Sequence, residues 1–156
     1  LRMVTLGLVV VVLDQLSKLW VISRLAPGES RPVLPGLLYL TRLHNPGAAF
    51  GLFAYHQELL AAGAALVLLV AWWRRRDIQR LPAGMRLGIG LGLGGAVGNL
   101  IDRVARGTVV DFIDVLVLPV FNVADIAIVA GAAILIWYVL FSRDAAANPR
   151  EDRRGA

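Results

Sequence analysis

The chain has 156 residues, of which 58% are hydrophobic, with a mean hydropathy of +0.69 and a formal net charge of +5. A soluble protein this apolar would lack the polar surface to cover itself, so the composition points to a membrane, and the length allows one domain. The absence of cysteine excludes disulfides, thiolate metal sites and a cysteine nucleophile, and two histidines, His44 and His56, are too few for a histidine-rich metal site, so neither metal nor other cofactor is expected.

Hydropathy predicts four spans, at 3–22, 59–73, 85–101 and 123–141. Each approaches the ~20 residues that cross ~30 Å of hydrocarbon, the second and third with help from flanking residues. Asp14 and Lys18 interrupt the first span and no small-x-small cleavage site follows it, so it reads as a mature helix rather than a signal peptide. The chain begins at Leu1, which leaves its true start open. In the segment 24–57, Pro27-Gly28, Pro35-Gly36 and Asn45-Pro46-Gly47 signal turns, and 37–43 reads as a strand, so a small sheet on the membrane surface is expected there. The glycine run at 90–95 fits G-x-G-x-x-G, but it lies inside an apolar span without the strand and acidic partner of a dinucleotide site. Gly88 and Gly92, and Gly90, Gly94 and Gly98, instead form small-residue faces for close helix packing. The tail 143–156 is charged, lacks apolar periodicity and is expected to be disordered. The domain proper is therefore 1–142.

The basic residues orient these spans. Arg2, five arginines in the 74–86 loop and four in the tail make ten, against five in segment 24–57 and the loop after the third span. The bias puts both termini and the 74–86 loop in the cytoplasm, with Trp72 and Trp73 in an interfacial belt. The surplus charge is topogenic, and no nucleic-acid partner is expected.

Several polar residues then fall near the outer face. Asp111 and Asp125 lie fourteen positions apart near the outer ends of apolar segments. Carboxylates there are costly and usually functional, and two that converge are the minimum equipment of an aspartyl hydrolase. Asn45, Asn99, Arg103 and Asn122 fall at the same depth, as a polar pocket requires. Asn99 and Arg103 are four apart, with Asp102 one position off; the bland reading is a cluster anchoring the helix end. Asn122 and Asp125 equally fit an N-cap and its N3 acid. Asp14 and Lys18, four apart on one helical face, read as structural support for the polar cavity. The histidines read as surface residues. A rival reading makes Asp14, Lys18, Asp111 and Asp125 the proton or ion relay of a small membrane transporter or scaffold subunit. A relay would spread its charges through the membrane depth, whereas the deep parts of the second and fourth spans are almost free of them.

Four blocks occur in order: Asp14-Gln15-Leu16-Ser17-Lys18; Asn45-Pro46-Gly47-Ala48-Ala49-Phe50-Gly51; Gly98-Asn99-Leu100-Ile101-Asp102-Arg103 with Val110-Asp111-Phe112; and Phe121-Asn122-Val123-Ala124-Asp125. Together they resemble the signature blocks of the lipoprotein signal peptidases (signal peptidase II). The resemblance implies a mainly α, four-helix aspartyl peptidase of the bacterial inner membrane with a periplasmic β-cradle. It implies cleavage of diacylglyceryl-modified prolipoproteins before the lipidated cysteine, and inhibition by globomycin. It makes Asp111 and Asp125 the catalytic dyad, and Asn99, Arg103 and Asn122 the polar pocket around it. Asn45 becomes the amide opening the loop over the site, and Gly47 part of the flexible turn beside it. Asp14 and Lys18 become supports of the fold. No metal is implied; membrane lipid is the surrounding partner and a monomer is expected.

Overall fold

The computed structural model describes residues 2–47 and 56–141. The expected flexible turn at 47–51 lies outside the described residues beyond Gly47, as does the whole of the expected disordered tail. In chain order the elements are α1 (Arg2–Arg24), β1 (Ser30–Leu34), β2 (Leu38–Asn45), α2 (Gln57–Trp73), α3 (Arg75–Arg80), α4 (Ala83–Arg106), β3 (Val109–Asp114) and α5 (Val123–Phe141). The four expected spans fall on α1, α2, α4 and α5. Of these, α1 and α5 are long and apolar enough to cross a membrane, and α2 is a shorter apolar helix. α4 runs five residues beyond the expected end of its span, to Arg106, which carries Asp102 and Arg103 onto the same helix as Asn99. The short α3 in the basic loop was not expected.

The burial pattern is inverted relative to a soluble bundle. α1 buries Val10, Asp14, Lys18 and Val21, a stripe at helical spacing, and turns Leu8, Val12, Leu16 and Leu19 outward. Apolar side chains outside and ionic ones inside suit a lipid surround, where charged groups face the protein interior. At the far end, Arg74 and Arg75 lie 5.3 and 4.7 Å from the ring centroids of Trp73 and Trp72.

α4 packs between α1 and α5 because glycines remove side chains from both of its flanks. A methyl on Gly94 would lie 2.7 Å from the Gly7 carbonyl oxygen of α1, and one on Gly88 would lie 2.9 Å from the Gly131 carbonyl oxygen of α5. Gly107 in the left-handed conformation (φ 72°) ends α4, its N–H bonded to the Arg103 carbonyl.

The sheet has the order β1-β2-β3, all antiparallel. This corrects the expectation of a sheet confined to segment 24–57. The third strand comes from 109–114, where Val109, Val110, Phe112 and Ile113 favour extended structure. β3 sits on the end of α1, where Val21, Leu25 and Phe112 form a small core. Arg42 on β2 donates to the Ile22 and Leu25 carbonyls at the end of α1. A bridge between Ile113 and Phe121 then returns the chain to the start of α5.

Gly94→Leu should force α1 and α4 apart and cost about 1–3 kcal/mol, as overpacking does, so its thermal midpoint in detergent should fall by several degrees. Gly92→Ala, whose methyl would meet nothing within 4 Å, should leave the midpoint unchanged or raise it. Equal stability of Gly94→Leu and wild type would contradict the close packing.

Candidate active site

β3 and the first turn of α5 bring the two aspartates to one place. Asp111 lies in mid-strand, not at the end of an apolar helix. Its Oδ2 accepts from Asn45 Nδ2 at 2.8 Å and its Oδ1 from Asn122 Nδ2 at 2.6 Å. Asp125 Oδ1 accepts from Asn99 Nδ2 at 2.8 Å, and its Oδ2 from the Asn122 backbone N–H at 3.2 Å. Each carboxylate thus has one nitrogen donor on each oxygen.

Asn122 bonds to both carboxylates. Its Oδ1 accepts the Asp125 N–H at 2.9 Å, completing with the Asp125 carboxylate the reciprocal bonds of a capping box. Its Nδ2 still donates to Asp111 and, at 3.2 Å, to Asn99 Oδ1. The cap and the polar pocket are one construction.

Asn99 is held in turn from α1. Lys18 Nζ donates to Asn99 Oδ1 at 3.0 Å and pairs with Asp14 at 2.8 Å and Asp102 at 2.9 Å, all three charged side chains being 0% exposed. Asp14 also accepts the Ala124 N–H of α5 at 2.9 Å. Asp102 accepts from Arg106 at 2.5 Å, from Gln15 at 3.1 Å and from the Val110 N–H at 3.0 Å. Gln15 is a participant that sequence reasoning left without a role, and Asp102 had been read only as part of a cluster anchoring the helix end. An acid four residues before Arg106, inside a glycine-rich apolar segment, was the available signal.

Asn45, Gly47, Asn99, Arg103, Asp111 and Asp125 line one cavity of about 980 Å³, whose remaining wall is largely apolar and includes Val120, Ile126, Val129 and Ala133. Arg103 reaches the carbonyls of Asn99 and Gly47 at 3.5 Å, and its buried Nε has no partner among the described residues. Asn122 lies fully buried behind the cavity, and Asp14 and Lys18 are buried beyond Asn99. Burial pushes the Asp111 carboxyl up to about 6; the neighbouring Asp125 adds to this, and donation from Asn45 and Asn122 opposes it. His44 is partly buried and bonded to Arg42 and Thr108 rather than free at the surface. Burial and the nearby Arg42 and Arg106 lower its pKa.

The sequence profile of the family described as Signal peptidase (SPase) II matches residues 6–141. The chain belongs to the signal peptidase II family. Among its relatives, the lipoprotein signal peptidase of Syntrophomonas wolfei is 48% identical over 148 residues, covering 94% of each chain. That of Moorella thermoacetica is 45% identical over 135 residues, covering 86% of this chain and 90% of the relative. A solved structure described as a bacterial membrane enzyme, determined in meso at 2.3 Å resolution, superposes with a TM-score of 0.86 at 30% identity, over 96% of this chain and 93% of the other. This signal peptidase II is therefore a membrane peptidase, and it shares its fold with that bacterial membrane enzyme.

The Asp111 environment has a consequence for stability. The folded chain holds this proton up to about pH 6, whereas an unfolded one releases it near 3.8. Between those values the folded state binds more protons, so stability falls as pH rises through the window, by about 3 kcal/mol in all. Asp111→Asn removes the titration. The thermal midpoint of wild type should drop more between pH 4 and pH 7 than that of the variant, and parallel curves would show that Asp111 ionises normally.

Proposed function

We propose that this signal peptidase II is an aspartyl endopeptidase that removes the signal peptide from diacylglyceryl-modified prolipoproteins, cleaving before the lipidated cysteine, with Asp111 and Asp125 as its catalytic dyad. The observation that carries the reading is the paired carboxylates, each held by a nitrogen donor on each oxygen, at the polar end of a cavity with an apolar wall.

Two carboxylates sharing a pocket titrate as a pair. In the proposed reaction one is ionised and takes a proton from the attacking water. The other holds a proton and donates it to the scissile carbonyl oxygen. The tetrahedral intermediate then collapses, a carboxyl protonates the leaving amine, and no covalent enzyme intermediate forms. Burial raises the proton affinity of Asp111 above that of an ordinary carboxylate, and either aspartate can take the acid role, with the two exchanging roles during turnover. Asn45, Asn99 and Asn122 orient the dyad, Arg103 and Gly47 border the substrate, and Asp14 and Lys18 support the frame. The acyl chains of the substrate partition into the bilayer at ~0.8 kcal/mol per methylene, which delivers the scissile bond to the membrane surface, and the apolar cavity wall suits the adjoining signal peptide and lipid. Globomycin-type inhibitors would occupy the same cavity.

In this reading α1, α2, α4 and α5 all span the bacterial inner membrane. Both termini and the 74–86 loop are cytoplasmic, the sheet is a cradle at the outer face, residues 1–142 form the peptidase domain, and the enzyme acts as a monomer. The excess of arginine in the termini and the 74–86 loop supports this orientation. The proton-relay reading is disfavoured by the concentration of acids and amides around one cavity.

Asp111→Asn and Asp125→Asn should each abolish cleavage of a diacylglyceryl prolipoprotein while leaving expression and membrane insertion intact. The double variant should be no worse than either single one, because parts of one catalytic unit are non-additive. Near wild-type cleavage by Asp125→Asn would reduce that residue to a helix cap. For orientation, a cysteine at position 30 or 108 should react with an impermeant reagent outside intact cells, and one in the 74–86 loop should not; the reverse pattern would invert the topology.

A further inference from the structure

Between the two aspartates the chain runs Val115-Leu116-Val117-Leu118-Pro119-Val120, six residues without a polar side chain. The peptidase reading uses only their place in the cavity wall. Yet Val117 is 86% exposed, and Leu116 and Leu118 are also exposed. A polar turn would close this loop at less cost in water. Leu116 instead has φ 64°, the left-handed region that a leucine rarely occupies. The turn is tied in place: Asp114 Oδ1 accepts the Leu116 N–H at 2.9 Å, and the Val117 N–H reaches the Val115 carbonyl at 2.8 Å. The other Asp114 oxygen accepts from Thr41 at 2.8 Å. The one charge at the base of the loop is thereby turned back into the sheet, and the tip is wholly apolar. Strain kept at a tied turn points to a use for the conformation.

The sheet adds to the same edge. Tyr39 pairs with Asp114 and Leu34 with Leu38, so the tip of the β1–β2 hairpin lies at the end of the sheet where the 115–120 loop begins. That tip exposes Val33, Leu34 and Leu37. The loop is also continuous with the outer flank of α5. Leu118, Pro119 and Val120 border the same cavity as Val129 and Ala133, which lie two to three turns down that helix, and Val129 itself is exposed.

We infer that this edge of the sheet, Val33, Leu34 and Leu37 with Leu116, Val117 and Leu118, inserts among the lipids at the boundary of headgroups and acyl chains. The inference rests on the reading in which α5 spans the membrane. Its occupant is lipid because the edge continues the apolar flank of that helix and carries no free charge to meet a polar partner. Anchored there, the loop holds the mouth of the cavity at the depth where acyl chains begin.

The chain has no cysteine, so single cysteines can carry a nitroxide without background. The full-length enzyme, reconstituted in phosphatidylethanolamine–phosphatidylglycerol vesicles, would be labelled in turn at Val117→Cys, Val129→Cys and Ser30→Cys. Collision rates would be read with oxygen, which concentrates in lipid, and with a water-soluble nickel chelate. Position 129 should show the lipid ratio and position 30 the water ratio. Position 117 is expected to favour oxygen over nickel several-fold relative to position 30. A water ratio at 117 with a lipid ratio at 129 would overturn the insertion alone. A water ratio at both would overturn the spanning reading and the insertion with it. Protection of 117 from both reagents would mean that protein covers the edge, and would also overturn the proposal.

Discussion

Lys18 is the charge on which the rest of the molecule depends. An ammonium removed from water without partners is not sustainable, and breaking a buried pair costs about 3–5 kcal/mol. Here it lies between Asp14 and Asp102, and Arg106 on the far side of Asp102 balances the second carboxylate. Two cations and two anions make the cluster neutral, and its members come from α1 and α4. Asp14 extends it to α5 through the Ala124 N–H. Three helices thus meet on one set of charges, in surroundings where the hydrophobic effect gives helices little reason to associate.

The same cluster fixes the orientation of the amides around the carboxylates. An asparagine presents one acceptor and one donor end, and which faces where is set by its partners. Lys18 can only donate, so it requires the Oδ1 of Asn99 on its side. The Nδ2 of Asn99 must then turn to Asp125. At Asn122 the helix start makes the same selection. Its Oδ1 is taken by the Asp125 N–H, which leaves Nδ2 to face Asp111. Neither amide can flip without setting donor against donor. The two aspartates are therefore held by groups whose direction is decided one bond further away, by a lysine on α1 and by the backbone of α5.

Much of this was legible in the sequence because carboxylates and amides are scarce in apolar segments. Asp111, Asp125, Asn45, Asn99 and Arg103 stood out by type alone, and one cavity contains them. Local spacing also worked where partners are local: the Asp14–Lys18 pair at i,i+4 and the Asn122–Asp125 cap are both present. Long-range pairing was not legible. Lys18 meets Asn99 across 81 positions and Gln15 meets Asp102 across 87, and no periodicity encodes such a contact. The run Val109–Asp114 is short and apolar, which periodicity alone does not resolve between helix end and strand. Its pairing with β2 depends on the turn at Gly107, and so the sheet was expected without its third strand.

The glycines of α4 connect packing to charge. Read as a small-residue stripe, they explain how α1 and α5 approach that helix, but Gly98 does more. A methyl there would fall 2.5 Å from the Asp14 carboxylate and 3.3 Å from the Ala124 side chain. The bare backbone leaves the space in which Asp14 reaches across to the first turn of α5. That bond holds the helix start next to Asn122 and Asp125, while the Gly98 carbonyl accepts from Gln15 at 3.1 Å. One missing side chain thus sets both the distance between helices and the place from which Asp14 reaches the Ala124 N–H, so an alanine at 98 would be an electrostatic change as much as a steric one.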